Sequence, residues 1–195
     1  LEEETGRRVY TILQLRVHPE LIKIKEEIEK NNRRYEVELT YITGRGRWYY
    51  VSWKGSEELS GGVATNIGIH LFDLMIWLFG DVEENYVFHR DEKSVSGYLA
   101  LQKADVKWFL SLDAGFVPDH IKKVGKNTFR SIKIDEKEIE FSEGFTNLHT
   151  EVYKRTLEGN GFGIEDSRKS IELVHQIRKN QLANVYKEKS HSFIR

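Results

Sequence analysis

Apolar residues recur at every second position in several parts of the chain, and a period of two predicts strands. It runs through RVYTILQLRV, which gives a strand over about Arg8–Val17, and through YEVELTYITG, which gives one over Tyr35–Thr43 with Glu36, Glu38 and Thr40 turned to solvent. After Gly80 it returns in three short runs, Asn85–His89, Ser94–Gln102 and Val106–Ala114, whose polar connectors RDEK and KAD predict an antiparallel meander. FRSIKIDEKEIEF adds two strands about a turn at Asp135–Lys137. Helical spacing takes over in PELIKIKEEIEK, where Leu21, Ile24, Lys25 and Ile28 share one side behind Pro19 at the first helical position. HTEVYKRTLEGN and EDSRKSIELVHQIRKNQ predict two more helices, the second capped by Glu165 or Asp166. GGVATNIGIHLFDLMIWLFG, Gly61 to Gly80, predicts a helix that is apolar almost all round and therefore buried.

Several successive strands with helices at the edges make the expected class α+β: an open, mostly antiparallel mixed sheet with helices on one face. Residues 1–195 are expected to form a single domain. In VSGYLALQ and VKWFLSLDA both alternating sets contain apolar residues, so the second face of the sheet is expected to meet another copy of the chain, as a homo-oligomer.

Composition narrows the partners. With 39% hydrophobic residues, 30 basic and 31 acidic side chains and a formal net charge of −1, nothing in the overall balance points to nucleic acid or an anionic membrane surface. The chain has no cysteine, which excludes disulfides, thiolate metal sites and cysteine nucleophiles and fits a reducing cytoplasm. The apolar run Ile67–Phe79 is interrupted by His70 and Asp73 and falls short of the roughly 20 residues of a membrane span, so the chain is expected to be soluble. The seven histidines are scattered without a close-spaced pair of metal ligands, and there is no GxSxG, Walker loop or GxGxxG with its distant acid. GNGFG, Gly159 to Gly163, lies between helices and reads as a turn.

Three groups of residues carry candidate chemistry. Asn66, His70 and Asp73 follow i, i+4, i+7 spacing and would project from nearly one helix face. They read either as a cap, a satisfied core histidine and its anchor, or as a carboxylate-oriented histidine able to take a proton at a helix entrance opened by Gly61, Gly62 and Gly68. On the expected first strand, Gln14, Arg16 and His18 fall on one side, as a solvated face or as donors to a carboxylate, phosphate or sugar hydroxyl. The segment GRGRWYYVSWKG interleaves Arg45, Arg47 and Lys54 with Trp48, Tyr49, Tyr50 and Trp53. That mix suits a structural aromatic cluster, a nucleotide diphosphate or single-stranded nucleic acid.

GGVATNIGIHLFDLMIWLFG resembles the signature helix of the Gfo/Idh/MocA oxidoreductases, in which a GG start leads into DxGxHxxD. His70 and Asp73 match that pattern, while Asn66 stands where the family usually has aspartate. That departure, with QLRVHP, GRGRWYYVSWKG and GFTNLHTEVYKRTLEGNGFGIEDSRKSIELVHQIR, is similar to one subgroup, the UDP-N-acetylglucosaminuronate 3-dehydrogenases of lipopolysaccharide O-antigen biosynthesis, over nearly all of the chain. The resemblance implies a two-domain cytoplasmic enzyme whose N-terminal Rossmann domain binds NAD, and whose C-terminal domain, present here, binds the UDP-sugar and assembles into a dimer or tetramer. The dinucleotide fingerprint and the lysine of the EKP motif would lie before Leu1, so this chain alone is expected to be inactive. His70, Asp73 and Asn66 would be catalytic, with His70 and that lysine taking the proton from the sugar C3 hydroxyl as hydride passes to NAD. Gln14, Arg16 and His18 would face the sugar, with an arginine on its carboxylate; Arg45, Arg47, Trp48, Tyr49 and Lys54 would serve the diphosphate and uridine, and His149 and Tyr153 would close the pocket. A dehydrogenase of the same family for another sugar or cyclitol, or a non-catalytic assembly module, are the alternatives.

Overall fold

A computed structural model describes residues 2–135, 137–139, 147–184 and 186–194. In chain order the elements are α1 (Glu2–Thr5), α2 (Pro19–Lys30), β1 (Tyr35–Thr43), α3 (Arg47–Val51), α4 (Glu57–Ser60), α5 (Ile69–Phe79), β2 (Val82–Arg90), β3 (Ser94–Leu101), β4 (Ala104–Ser111), α6 (Asp119–Lys123), β5 (Thr128–Ile134), β6 (Lys137–Ile139), α7 (Leu148–Leu157) and α8 (Ile164–Lys179). The strands form a 6-stranded sheet in the order β2-β3-β4-β1-β5-β6. All neighbours are antiparallel except β1 and β4, whose parallel pairing needs the crossover through α5 and the meander. This is the mixed, mostly antiparallel α+β sheet that the alternation predicts.

Alternation along the strands sorts the two faces. Tyr35, Val37, Leu39 and Tyr41 of β1 join Leu99, Leu101, Val106, Trp108, Leu110, Ile132 and Ile134 beneath α2, α5 and α8, which contribute Leu21, Ile28, Phe72, Leu74, Met75, Phe79, Leu173, Val174 and Ile177 to one continuous core. The helical stretch Glu57–Phe79, at 23 residues, is long and apolar enough to cross a membrane, against the shorter run expected, but 67% of its apolar window is buried inside the protein. It is apolar because it is the central core helix. The end of α2 is held by Lys103, whose ammonium donates to the carbonyls of Ile28 and Asn31.

The second face is not bare, and here the expectation of an open surface changes. Val117 and Ile121 pack on Ile42 and Phe109, while the C-terminal segment crosses the sheet beside them. Ala183 donates its N–H to the Val87 carbonyl at 2.8 Å, Tyr186 meets Phe88 edge-on, and Lys189 lies over the rings of Tyr86 and Tyr98 and pairs with Glu84. His191 stacks on Phe109, its Nε2 lies 2.9 Å from Thr40 Oγ1, and Ser192 donates to Glu38. Thr40, expected at the solvent, is therefore buried.

The expected strand Arg8–Val17 does not form. Only Thr11 makes an isolated bridge, to Phe162, and Gln14–Val17 is a 3-10 turn closed by Arg16 N–H to Leu13 and His18 N–H to Leu15. The segment packs on the helical side of the molecule, away from the sheet, so its backbone is bonded to Phe162 at Thr11 and to itself only in the turn at Gln14–Val17. The expected strand Val106–Ala114 is shifted to Ala104–Ser111, and Ala114 opens a 3-10 turn instead.

Candidate active site

The signature segment begins with Gly61 and Gly62, both at positive φ (82° and 71°), a backbone that only glycine adopts without strain. A π turn, Ala64–Gly68, then leads without a break into α5. Gly68 faces Leu110 of β4 and Phe72 so closely that a Cβ would collide with both, which lets this turn sit directly on the sheet. The wider π turn breaks the 3.6-residue register, so Asn66 does not join His70 and Asp73 in a single hydrogen-bonded row. Its amide nitrogen instead donates to Ser60 Oγ (2.7 Å), the Gly62 carbonyl (2.9 Å) and the Lys54 carbonyl (3.4 Å), tying the aromatic loop to the start of the helix.

Asp73 is buried but does not hydrogen-bond His70. Both its oxygens are taken by Arg16, with Nε to Oδ2 at 2.9 Å and Nη2 to Oδ1 at 2.7 Å. Arg16 therefore turns into the protein rather than along a strand face toward a substrate, and its Nη2 also donates to the Asp166 carbonyl at 2.8 Å. His70 is half-buried and its side chain makes no hydrogen bond among the described residues. Burial pulls its pKa below the ordinary histidine value; the Asp73 charge opposes that shift and His149 adds to it. At neutral pH its imidazole is uncharged, the form that accepts a proton.

The other members of the expected strand face also separate. Gln14 is buried with its Oε1 unpaired among the described residues, whereas His18 is the N-cap of α2 and its Nδ1 accepts the Glu20 N–H at 3.2 Å. On α7, His149 and Tyr153 stand one turn apart and exposed, Tyr153 by 57%. The 3-10 turn and α7 share the small cluster Val17, Leu148 and Val152, and His149 on α7 is close enough to His70 for their charges to interact.

The aromatic loop forms a second group. Ser52 and Ser56 cap its short helical turns, so the stretch is ordered by its own polar side chains. Tyr49 is buried with its phenol pushed up by desolvation and lies under Arg45, so it packs the loop and offers no open face to a base. Arg47 and Trp48 are exposed, and Lys54 lines a cavity of about 180 Å³ with Tyr49, Gly61, Gly62, Arg90 and Arg178. Arg90 and Arg178 lie in separate elements and carry no sequence signal of their own. At the turn Gly159–Gly163, Phe162 bridges to Thr11, and the Asp166 carboxylate accepts the Gly163 N–H at 2.7 Å. Asp166 thus caps α8 from its third position, with Gly163 as the N-cap, and GNGFG is a turn. Among the described residues no cluster of His, Asp and Glu could hold a metal.

The family model described as the oxidoreductase family C-terminal alpha/beta domain (Gfo/Idh/MocA) matches residues 25–106. The WlbA (WbpB) dehydrogenase from Thermus thermophilus, solved with NAD and alpha-ketoglutarate, is 51% identical over 99% of this chain with a TM-score of 0.95, and this chain covers 62% of it. The same enzyme with NAD and UDP-GlcNAcA is 50% identical over 99% of this chain, with a TM-score of 0.94 and 62% of that chain covered. The WlbA dehydrogenase from Bordetella pertussis, in complex with NADH and UDP-GlcNAcA, shares the fold at 22% identity over 90% of this chain and 60% of its own, with a TM-score of 0.67. This chain thus spans about three-fifths of the length of these enzymes and corresponds to their C-terminal part. With its GG start, its histidine-bearing core helix and its mixed sheet, the chain is similar to the C-terminal part of these dehydrogenases, and its residues 25–106 match the C-terminal alpha/beta domain of the Gfo/Idh/MocA oxidoreductase family.

Proposed function

We propose that this chain is the substrate-binding and assembly domain of a cytoplasmic NAD-dependent dehydrogenase of O-antigen biosynthesis, which oxidises the C3 hydroxyl of UDP-N-acetylglucosaminuronate to the 3-keto sugar nucleotide. The observation that carries this reading is the 50% identity over 99% of the chain to an enzyme solved with NAD and UDP-GlcNAcA. His70 is the proton acceptor: it is uncharged at neutral pH, has no hydrogen-bond partner among the described residues that would compete for its lone pair, and stands near the entrance of the core helix. Asp73 acts on it through space as a negative charge, and Asn66 meets the substrate or the nicotinamide from the loop side. Arg45, Arg47, Lys54 and Trp48 serve the anionic and aromatic parts of the sugar nucleotide, and His149 and Tyr153 border the sugar. Gln14 contributes its unpaired Oε1.

No glycine-rich cradle for a dinucleotide is present among the described residues, since Gly159–Gly163 is closed by Phe162 and Asp166. NAD is accordingly held mainly by a part of the enzyme other than this chain and, when bound, accepts the C3 hydride. The chain alone is inactive and self-associates through the sheet face that its C-terminal segment lines. Calorimetric titration tests the reading: the chain should bind UDP-N-acetylglucosaminuronate more tightly than UDP-N-acetylglucosamine, which lacks the sugar carboxylate, and should not bind NAD tightly. Tight NAD binding, or equal affinity for the two sugars, would overturn it.

A further inference from the structure

Arg16 is the one arginine of the expected substrate face, yet the protein itself consumes its guanidinium. The fork grips both oxygens of Asp73, at 2.9 and 2.7 Å, with side-chain exposures of 11% and 3%; the same Nη2 holds the Asp166 carbonyl at 2.8 Å, and Nη1 lies 3.8 Å from the Asp166 carboxylate. The Phe162 ring lies 5.7 Å from the guanidinium carbon. A two-point grip of this kind fixes orientation as well as distance, and a buried carboxylate so held keeps one place. Three elements meet there. Asp73 is three residues beyond His70 on α5, Asp166 lies in the first turn of α8, and the turn that carries Arg16 packs through Val17 on Leu148, the neighbour of His149 on α7.

We infer that Arg16 is a positioning residue: through Asp73 it holds the His70 helix at a set distance from α7 and α8 and sets the charge that His70 meets, and it does not bind the substrate carboxylate. The inference rests on the reading of His70 as proton acceptor only for its kinetic consequence. The groups that act on His70 are Asp73 on its own helix and His149 on α7, with Arg16 and Asp166 behind Asp73. Charge then predicts opposite effects from the two halves of the clamp. Replacing Asp73 removes a charge that favours the imidazolium, and replacing Arg16 removes one that opposes it.

The test is an NMR titration of the His70 ring in this chain, in Asp73→Asn and Arg16→Gln. The His70 midpoint should fall in the first and rise in the second. Shifts in the same direction, or none in either folded variant, would overturn the inference. If Arg16→Gln does not fold, Arg16→Lys, which keeps the charge and loses the two-point grip, should leave the midpoint close to that of the unaltered chain, and a shift as large as that of Asp73→Asn would count against the clamp. In the longer enzyme, Arg16→Lys should lower kcat about 100-fold, the scale of a misplaced catalytic group, with KM for the uronate little changed. A tenfold rise in KM with kcat preserved would make Arg16 a substrate ligand after all. Should His70 not be the proton acceptor, a His70→Asn enzyme would keep its kcat while the opposed titration shifts persisted, so the two ideas fail separately.

Discussion

His70 and Asp73 are three positions apart in one helix, so their proximity follows from chain geometry and is legible in the sequence. The partner of Asp73 is not, because Arg16 reaches it only after the 3-10 turn has packed against α5. That burial makes the pair sensitive: removing either partner leaves a buried charge uncompensated, and Asp73→Ala should destabilise the chain by about 3–5 kcal/mol in urea unfolding. For chemistry, His70→Asn in the proposed longer enzyme should lower kcat on the order of 100- to 10,000-fold while substrate binding survives, measured by steady-state kinetics and calorimetry. His191 offers a pH test at the same scale. Burial lowers its pKa from the ordinary 6.5 to about 4, with the Glu38 charge opposing and the Lys107 charge assisting. The unfolded chain then binds more protons than the folded one between those values, so stability rises with pH across that window and is lost as pH falls from about 6.5 toward 4. His191→Gln should flatten this part of the stability profile in urea melts at pH 7 and pH 5, and an unchanged slope would remove His191 from the account.

Elements whose side chains alternate or follow a helical period against one neighbouring layer are those the sequence reveals: α2, β1, the meander and α8 lie where the pattern places them, within a few residues. Arg8–Val17 carries the same alternation and is not a strand, because alternation states which residues prefer burial and cannot supply a partner for the backbone. The packing of the meander depends on a position whose role the pattern does not disclose. At Gly97 of β3 an added Cβ would overlap the Tyr86 carbonyl of β2 and the indole of Trp108 on β4. Gly97→Ala should therefore cost about 1–3 kcal/mol or more by overpacking, read as a lowered denaturation midpoint.

Across the whole molecule, the C-terminal segment shows no periodicity and yet covers the second face of the sheet, with His191 and Phe193 stacked on Phe109 and Lys189 over Tyr86 and Tyr98. Removing residues 181–195 should strip the face through which the chain is proposed to self-associate and uncover Phe88, Tyr98 and Phe109, so that defined oligomers give way to aggregates and dye binding rises, measured by light scattering and fluorescence. A truncated chain with the same oligomeric state and the same stability as the intact one would show that the segment contributes nothing there. The sequence by itself determined the α+β class, most of the strands and helices, and the helix that bears His70 and Asp73, because these depend on residues a few positions apart. Only the tertiary structure decided that Arg16 grips Asp73, that Asn66 is turned to the aromatic loop, that Tyr49 is buried, and that the sheet's second face is covered by the chain's own end. Those outcomes are contacts between distant segments, chosen by which buried charge or amide finds a partner once the layers have packed.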